Sequence, residues 1–141
     1  MKPMLIRPYN VSDESAVIDL WHRCGLVRPW NDPKKDIARK TLVRPDLFLV
    51  GLIDEQLVAT AMAGYEGHRG WINYLAVSPD YRREGLASEI MRRAEELLRE
   101  AGCPKINLQV RSTNAEVIEF YRRIGYAVDD VVSLGKRLVQ D

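Results

Sequence analysis

The sequence predicts an α/β fold of the α+β kind: one domain, residues 1–141, with a mixed, mostly antiparallel sheet of about seven strands flanked by four helices, in the order βααβββαβαββ. Three observations predict it. Leu47 to Val77 holds three successive apolar runs separated only by short turns, the pattern of an antiparallel meander. A long amphipathic helix follows, from Gly85 to Ala101. Beyond it a strand, a helix and two more strand patterns fill the rest of the chain.

Met4 to Arg7 forms the first short strand. Ser12 caps a helix whose first turn carries Asp13 and Glu14, favourable against the partial positive charge there. Val17, Leu20, Trp21 and Cys24 recur at helical spacing, and Gly25 ends the run. Leu26 to Pro33 is a loop. Asp32 caps a second helix with Pro33 at its first position; it reaches Arg44, and Pro45 stops it. Leu47 to Ile53 is a strand, and Asp54-Glu55-Gln56 turns it tightly into Leu57 to Tyr65. Glu66 to Gly70 is the next turn, and Trp71 to Val77 the next strand. Ser78-Pro79-Asp80 breaks that strand.

In the long helix, Leu86, Ile90, Ala94, Leu97 and Ala101 form the apolar stripe. Glu89/Arg93 and Glu95/Arg99 are spaced to pair on its outer side, and Gly102 terminates it. Lys105 to Val110 is a strand. Asn114 caps a helix that runs to Ile124. Ala127 to Val132 and Ser133 to Leu138 are the final strands.

A chain of 141 residues suits one compact domain and, at this size, buries roughly 68–70% of the surface its unfolded form exposes. It needs no disulfide or metal to hold a core. The formal net charge of +1 gives no ground for a general binder of nucleic acid or acidic membrane. Cys24 and Cys103 lie far apart and neither sits in a C-x-x-C pair. His22 and Cys24 are too few ligands for a zinc site, so Cys24 is expected in the core and His22 on the surface. Met1 to Arg7 lacks the apolar run of a signal peptide, and no stretch approaches the ~20 apolar residues of a membrane span. A cytoplasmic protein with reduced thiols is expected.

The most informative segment is Val77-Ser78-Pro79-Asp80-Tyr81-Arg82-Arg83-Glu84-Gly85-Leu86-Ala87, between a strand and the longest helix. Gly85 and Ala87 have little or no side chain, so backbone N–H groups there can approach a ligand closely. The first N–H groups of a helix lack intrahelical partners and carry partial positive charge, which suits a pyrophosphate. Arg82 and Arg83 add formal charge. The plainer alternative is an ordinary turn with solvated arginines. Neither the G-x-x-x-x-G-K-[ST] loop nor the G-x-G-x-x-G fingerprint is present. The second informative segment is Asn114 to Tyr126. Asn114 and Tyr121 lie two helical turns apart, on nearly one face. Tyr121 offers a phenolic proton; alternatively Phe120, Tyr121 and Tyr126 are core aromatics.

Together, Arg82-x-x-Gly85-x-Ala87 and Asn114…Phe120-Tyr121-x-x-x-Gly125-Tyr126, with the order of elements around them, resemble the GNAT superfamily of N-acetyltransferases over nearly the whole chain. Four further segments, Arg28 to Pro33, Gly64 to Gly70, Gly102 to Ile106 and Ser133 to Leu138, look like the bacterial YpeA-type subgroup. The resemblance implies acetyl-CoA (acetyl-coenzyme A) as donor and an amine as acceptor. It implies that backbone amides of Arg82, Arg83, Glu84, Gly85, Leu86, Ala87 and Ser88 seat the pyrophosphate. The pantetheine arm would run along Leu75-Ala76-Val77 like an added strand, where the strands splay apart to admit the thioester. Asn114 would contact the arm, and Tyr121 would protonate the departing thiolate.

An attacking amine must be neutral, so its proton needs a destination. Glu66 and His68, just before the donor strand, are either candidate bases, an imidazole being suited to neutral pH, or with Arg69 simply part of a solvated turn. Asn73 and Tyr74 face opposite sides of that strand, and one should point into the slot. Trp30 either covers the core or lines an acceptor pocket with Asn31, and Arg28 is either a solvated surface residue or binds an acceptor carboxylate. Two other readings remain: an acyl-CoA sensor without chemistry, and an interaction module using Ser133 to Leu138 as a sheet edge, which also admits a homodimer.

Overall fold

The computed structural model describes residues 2–141, which divide into two compact units, one reaching to Leu108 and the other spanning Gln109–Asp141. The first unit is built on one five-stranded sheet whose spatial order follows the chain: β1 (Leu5–Pro8), β2 (Phe48–Ile53), β3 (Gln56–Tyr65), β4 (Gly70–Val77) and β5 (Ile106–Leu108). Strands β1 to β4 pair antiparallel; β5 pairs with β4 in parallel. Three helices complete the unit: α1 (Glu14–Arg23), α2 (Pro33–Thr41) and α3 (Leu86–Glu100).

Local chemistry explains most boundaries. The Asp32 side chain accepts the Lys34 N–H at 2.9 Å and Pro33 opens α2, as the sequence predicts, but the helix ends at Thr41 rather than Arg44. Asp54 and Glu55 both have positive φ, 50° and 65°, which matches the twist of a two-residue hairpin between β2 and β3. The start of α1 differs from expectation. A short 3₁₀ turn, Val11–Asp13, precedes it, and Asp13 rather than Ser12 organises the entry. The Asp13 carboxylate accepts the Asn10 N–H at 2.8 Å and two bonds from Arg7, at 2.7 and 3.0 Å. The Arg7 bonds hold its carboxyl below the usual carboxylate range.

The core lies on the sheet face that meets α1 and α2: Val17, Leu20, Trp21, Ile37, Phe48, Val50, Met62 and Ala76. Helix α3 packs on β2, β3 and β4, burying Leu86, Ile90, Met91, Ala94 and Leu98. Leu98 and Met91 thus belong to the stripe where the sequence reading put Leu97 and Ala101, a rotation within the same helix. On its outer side Arg93 pairs with Glu96 at 3.0 Å. Gly70 opens β4 where a Cβ would stand 2.8 Å from Cys103 Sγ and 3.3 Å from Leu98, so only glycine admits this approach.

The second unit contains α4 (Ala115–Arg123), capped by the Asn114 side chain on the Val117 N–H. The two final strands, Ala127 to Val132 and Ser133 to Leu138, do not form. The sheet therefore has five strands, not about seven. The physical reason is the lack of a covered face. Val128, Val131, Val132, Leu134 and Leu138 are all exposed, Leu134 at 91%, so no burial offsets the entropy of ordering them. The reading of Ser133 to Leu138 as an interaction edge falls with the strand; the sheet edges are β1 and β5.

Candidate active site

The site starts from a defect in β4. Thr60 pairs with Ala76, but Met62 pairs with Asn73, so β4 carries one extra residue there, a bulge at Tyr74 and Leu75. Tyr74 takes φ of 51°, a region that bulky residues rarely occupy. Three contacts hold it. Its ring stacks on Trp21 with centroids 3.7 Å apart and planes 9° from parallel. Its hydroxyl donates to Asp36 Oδ2 at 2.6 Å. Its carbonyl accepts from the Thr60 hydroxyl at 2.8 Å. Asn73 beside it is exposed.

Beyond the bulge, Leu75 and Val77 are half-buried and Ala76 is buried. Strand β5 pairs only with Gly70, Trp71 and Ile72 and ends at Leu108, so the strand pair parts where β4 continues to Val77. The Cys24 thiol donates to the Val77 carbonyl at 3.3 Å, and Arg23 reaches Ser78 Oγ at 3.3 Å. These contacts tie the end of α1 to the end of β4. Cys24 is half-buried and packs against the core, while His22 is exposed as expected.

A 3₁₀ turn, Pro79–Tyr81, capped by Ser78, leads into the predicted seat. Arg83 has φ of 66° and Gly85 φ of 77°. Left-handed residues in such a turn direct successive N–H groups into an anion-binding concavity. Gly85 is the N-cap of α3, and no side chain caps that helix, whereas Asp32 and Asn114 cap α2 and α4. Gly85, Arg82, Arg83 and Glu84 are exposed, Ala87 and Ser88 half-exposed, and a Cβ at Gly85 would meet nothing within 4 Å. The Arg82 guanidinium lies 3.8 Å from Cys24 Sγ. Glu84 brings opposing charge. Donor N–H groups without an internal cap, open space and two arginines fit a diphosphate.

The structure does not bring Glu66 and His68 to this seat. They occupy the β3–β4 turn, before Gly70, and the run from Gly70 to Leu75 spans about 17 Å of extended chain. Glu66 Oε1 accepts the backbone N–H groups of Arg69 and, at 2.8 Å, His68. The Arg69 bond, with that from His68, holds its carboxyl below the usual range, the wrong direction for a base at neutral pH. Arg28 and Trp30 are exposed and Asn31 half-buried in a loop closed by the Asn31 N–H on the Arg28 carbonyl at 3.1 Å. Trp30, 48% exposed, does not seal the core.

In the second unit Tyr121 is buried, 8% exposed, with Phe120 and Tyr126 edge-on to its ring at 5.1 and 5.6 Å. Burial pushes its phenol up to about 12, so it stays protonated at neutral pH. Asn114, exposed, uses its side-chain oxygen as the cap of α4, leaving its amide NH₂ to donate. Thr60 and Asp36 escaped the sequence reading, and Trp21 entered it only as an apolar position of the first helix. The available signal was Thr60, a lone hydroxyl in the apolar run Val58-Ala59-Thr60-Ala61-Met62.

No group of three or more His, Cys, Asp or Glu side chains among the described residues could hold a metal ion, and no helix is long and apolar enough to cross a membrane.

The fold is that of an α+β domain whose fourth strand passes into its longest helix through an open turn that no side chain caps. Residues 15–126 match the acetyltransferase (GNAT) family. An acetyltransferase of Pectobacterium atrosepticum is 49% identical over 138 residues, covering 98% of each chain. An acetyltransferase of Sodalis glossinidius is 50% identical over 139 residues, again 98% of each. The aminoglycoside N-acetyltransferase AAC(6')-Iy, solved in complex with CoA, shares the fold with a TM-score of 0.75 across 99% of this chain and 97% of its own, at 14% identity. The chain belongs to the acetyltransferase (GNAT) family and is an acyltransferase.

Proposed function

We infer that the protein transfers an acetyl group from acetyl-CoA to a primary amine of a small molecule, peptide or protein, by direct attack within a ternary complex, in the cytoplasm. The observation that carries this reading is the uncapped start of α3, with left-handed Arg83 and Gly85 before it. Acetyl-CoA supplies the acyl thioester. The backbone from Arg82 to Ser88 holds the diphosphate, and Leu75 to Val77, free of β5, offers its edge to the arm. Asn114 donates from its free amide group. Tyr121 is the proton donor for the leaving thiolate, a role supported by its burial and raised pKa. Asn73, Tyr74, Arg28, Trp30 and Asn31 stand for the acceptor side.

A panel of amines (protein N-termini, lysine, polyamines, amino acids, aminoglycosides) incubated with acetyl-CoA, with release of free thiol as readout, tests the reading and names the acceptor. Absence of acetyl-CoA binding in calorimetry rejects it.

Neither Glu66 nor His68 is the base in this reading. Glu66→Gln and His68→Ala are expected to keep turnover within a few-fold of wild type, against the loss of about 10²–10⁴-fold that follows removal of a general base. A pH–rate profile that loses its acidic limb in either variant would restore that residue.

A further inference from the structure

Thr60 is the polar residue that packing does not explain. It is fully buried on β3, and its hydroxyl is used twice. It accepts the Trp21 indole N–H at 2.9 Å and donates to the Tyr74 carbonyl at 2.8 Å. Trp21, also fully buried, then stacks on the Tyr74 ring. Tyr74 is thus gripped at its carbonyl, its ring and, through Asp36, its hydroxyl. All three contacts fix one strained residue, at the bulge immediately before Leu75-Ala76-Val77. A residue in a sparsely populated backbone region persists only where its surroundings over-determine it, and such positions gather at functional sites.

The geometry points to Thr60 and Trp21 as positioning residues that set the β4 bulge, and through it the direction of the 75–77 backbone along which the donor's pantetheine arm lies; this rests on the acetyl-CoA reading above. The hydroxyl is the working part. Its two bonds join α1, β3 and β4 at one atom, so β4 cannot slip to a regular register without stranding the indole N–H and the Tyr74 carbonyl in the core. The seat at Arg82 to Ser88 is built independently, by its own turn.

The test uses two probes and two variants. Coenzyme A carries the arm; its 3′-phospho-ADP fragment carries the diphosphate without the arm. Thr60→Val keeps the branched shape and loses the hydroxyl; Thr60→Ser does the reverse. In calorimetry, Thr60→Val is expected to weaken coenzyme A about tenfold, the scale of one to two lost hydrogen bonds, while the fragment binds as to wild type. Thr60→Ser is expected to stay within about threefold for both probes. A purely structural role reverses that order, because serine leaves the larger void. Near-ultraviolet circular dichroism reads the Trp21–Tyr74 stack directly: its signal should fall in Thr60→Val and persist in Thr60→Ser. Equal losses for both probes, or Thr60→Val indistinguishable from wild type in binding and dichroism, overturns the inference. Wild-type protein that binds neither probe rejects the acetyl-CoA reading instead, and dichroism then decides alone whether Thr60 sets the bulge.

Discussion

Gly85→Glu is expected to abolish coenzyme A binding while leaving a folded protein. Two effects combine. Gly85 sits at φ of 77°, where a Cβ costs about 1–2 kcal/mol, enough to lower the melting temperature by a few degrees without unfolding the domain. The larger effect falls on the ligand. A Cβ there meets nothing of the protein within 4 Å, so the new side chain starts in open space, on the side where the diphosphate is proposed to lie. A carboxylate about 4 Å from a phosphate charge near a protein surface repels it by about 4 kcal/mol, roughly a thousandfold in affinity. Gly85→Asn separates the two effects, since asparagine tolerates the left-handed backbone and carries no charge. It should keep most of the affinity. Calorimetric affinity for coenzyme A unchanged in Gly85→Glu would remove the seat from the account.

Tyr121→Phe is expected to cut turnover by about 10²–10⁴-fold, the usual contribution of a general acid, with acetyl-CoA affinity nearly intact. Loss of an interaction made only in the transition state lowers kcat and kcat/KM together. The raised phenol pKa fixes the sign of two pH effects. For catalysis, the wild-type acid remains protonated until about pH 12, so Tyr121 contributes no alkaline limb in the ordinary assay range. For stability, the unfolded phenol ionises near 10 and the folded one near 12. The stabilisation linked to this group is complete below pH 10 and is lost as pH rises from 10 to 12. Tyr121→Phe should flatten that decline in a chemical-denaturation series. Equal turnover in wild type and variant excludes the acid role.

Local chemistry made much of this architecture legible. Asp32-Pro33 announces the start of α2, Asp54-Glu55 the hairpin, and Gly85 the helix entry, because each depends on a few adjacent residues. The bulge was not legible. Tyr74 gives no sign of left-handed backbone, since what holds it comes from Trp21, Asp36 and Thr60, far away in sequence. The final strands failed for the opposite reason. Val128, Val131 and Val132 favour extended chain locally, but a strand exists only with a ladder partner and a covered face. Glu66 and His68 lie in the β3–β4 turn, as their sequence position predicts, but adjacency to a strand says nothing about which end of it holds the chemistry.

Chain-order succession of the strands has a kinetic corollary. Strands β2, β3 and β4 are linked by tight turns, and hairpins of this kind zip in roughly 1–10 μs. The two outer strands must wait for larger loops, roughly forty residues for β1 and thirty for β5, whose closure is slower although its entropic penalty grows only with the logarithm of length. The parallel join of β5 to β4 also needs a long crossover connection, which here contains α3. The turn from Arg82 to Ser88, proposed above to seat the diphosphate, lies inside that crossover, between β4 and β5.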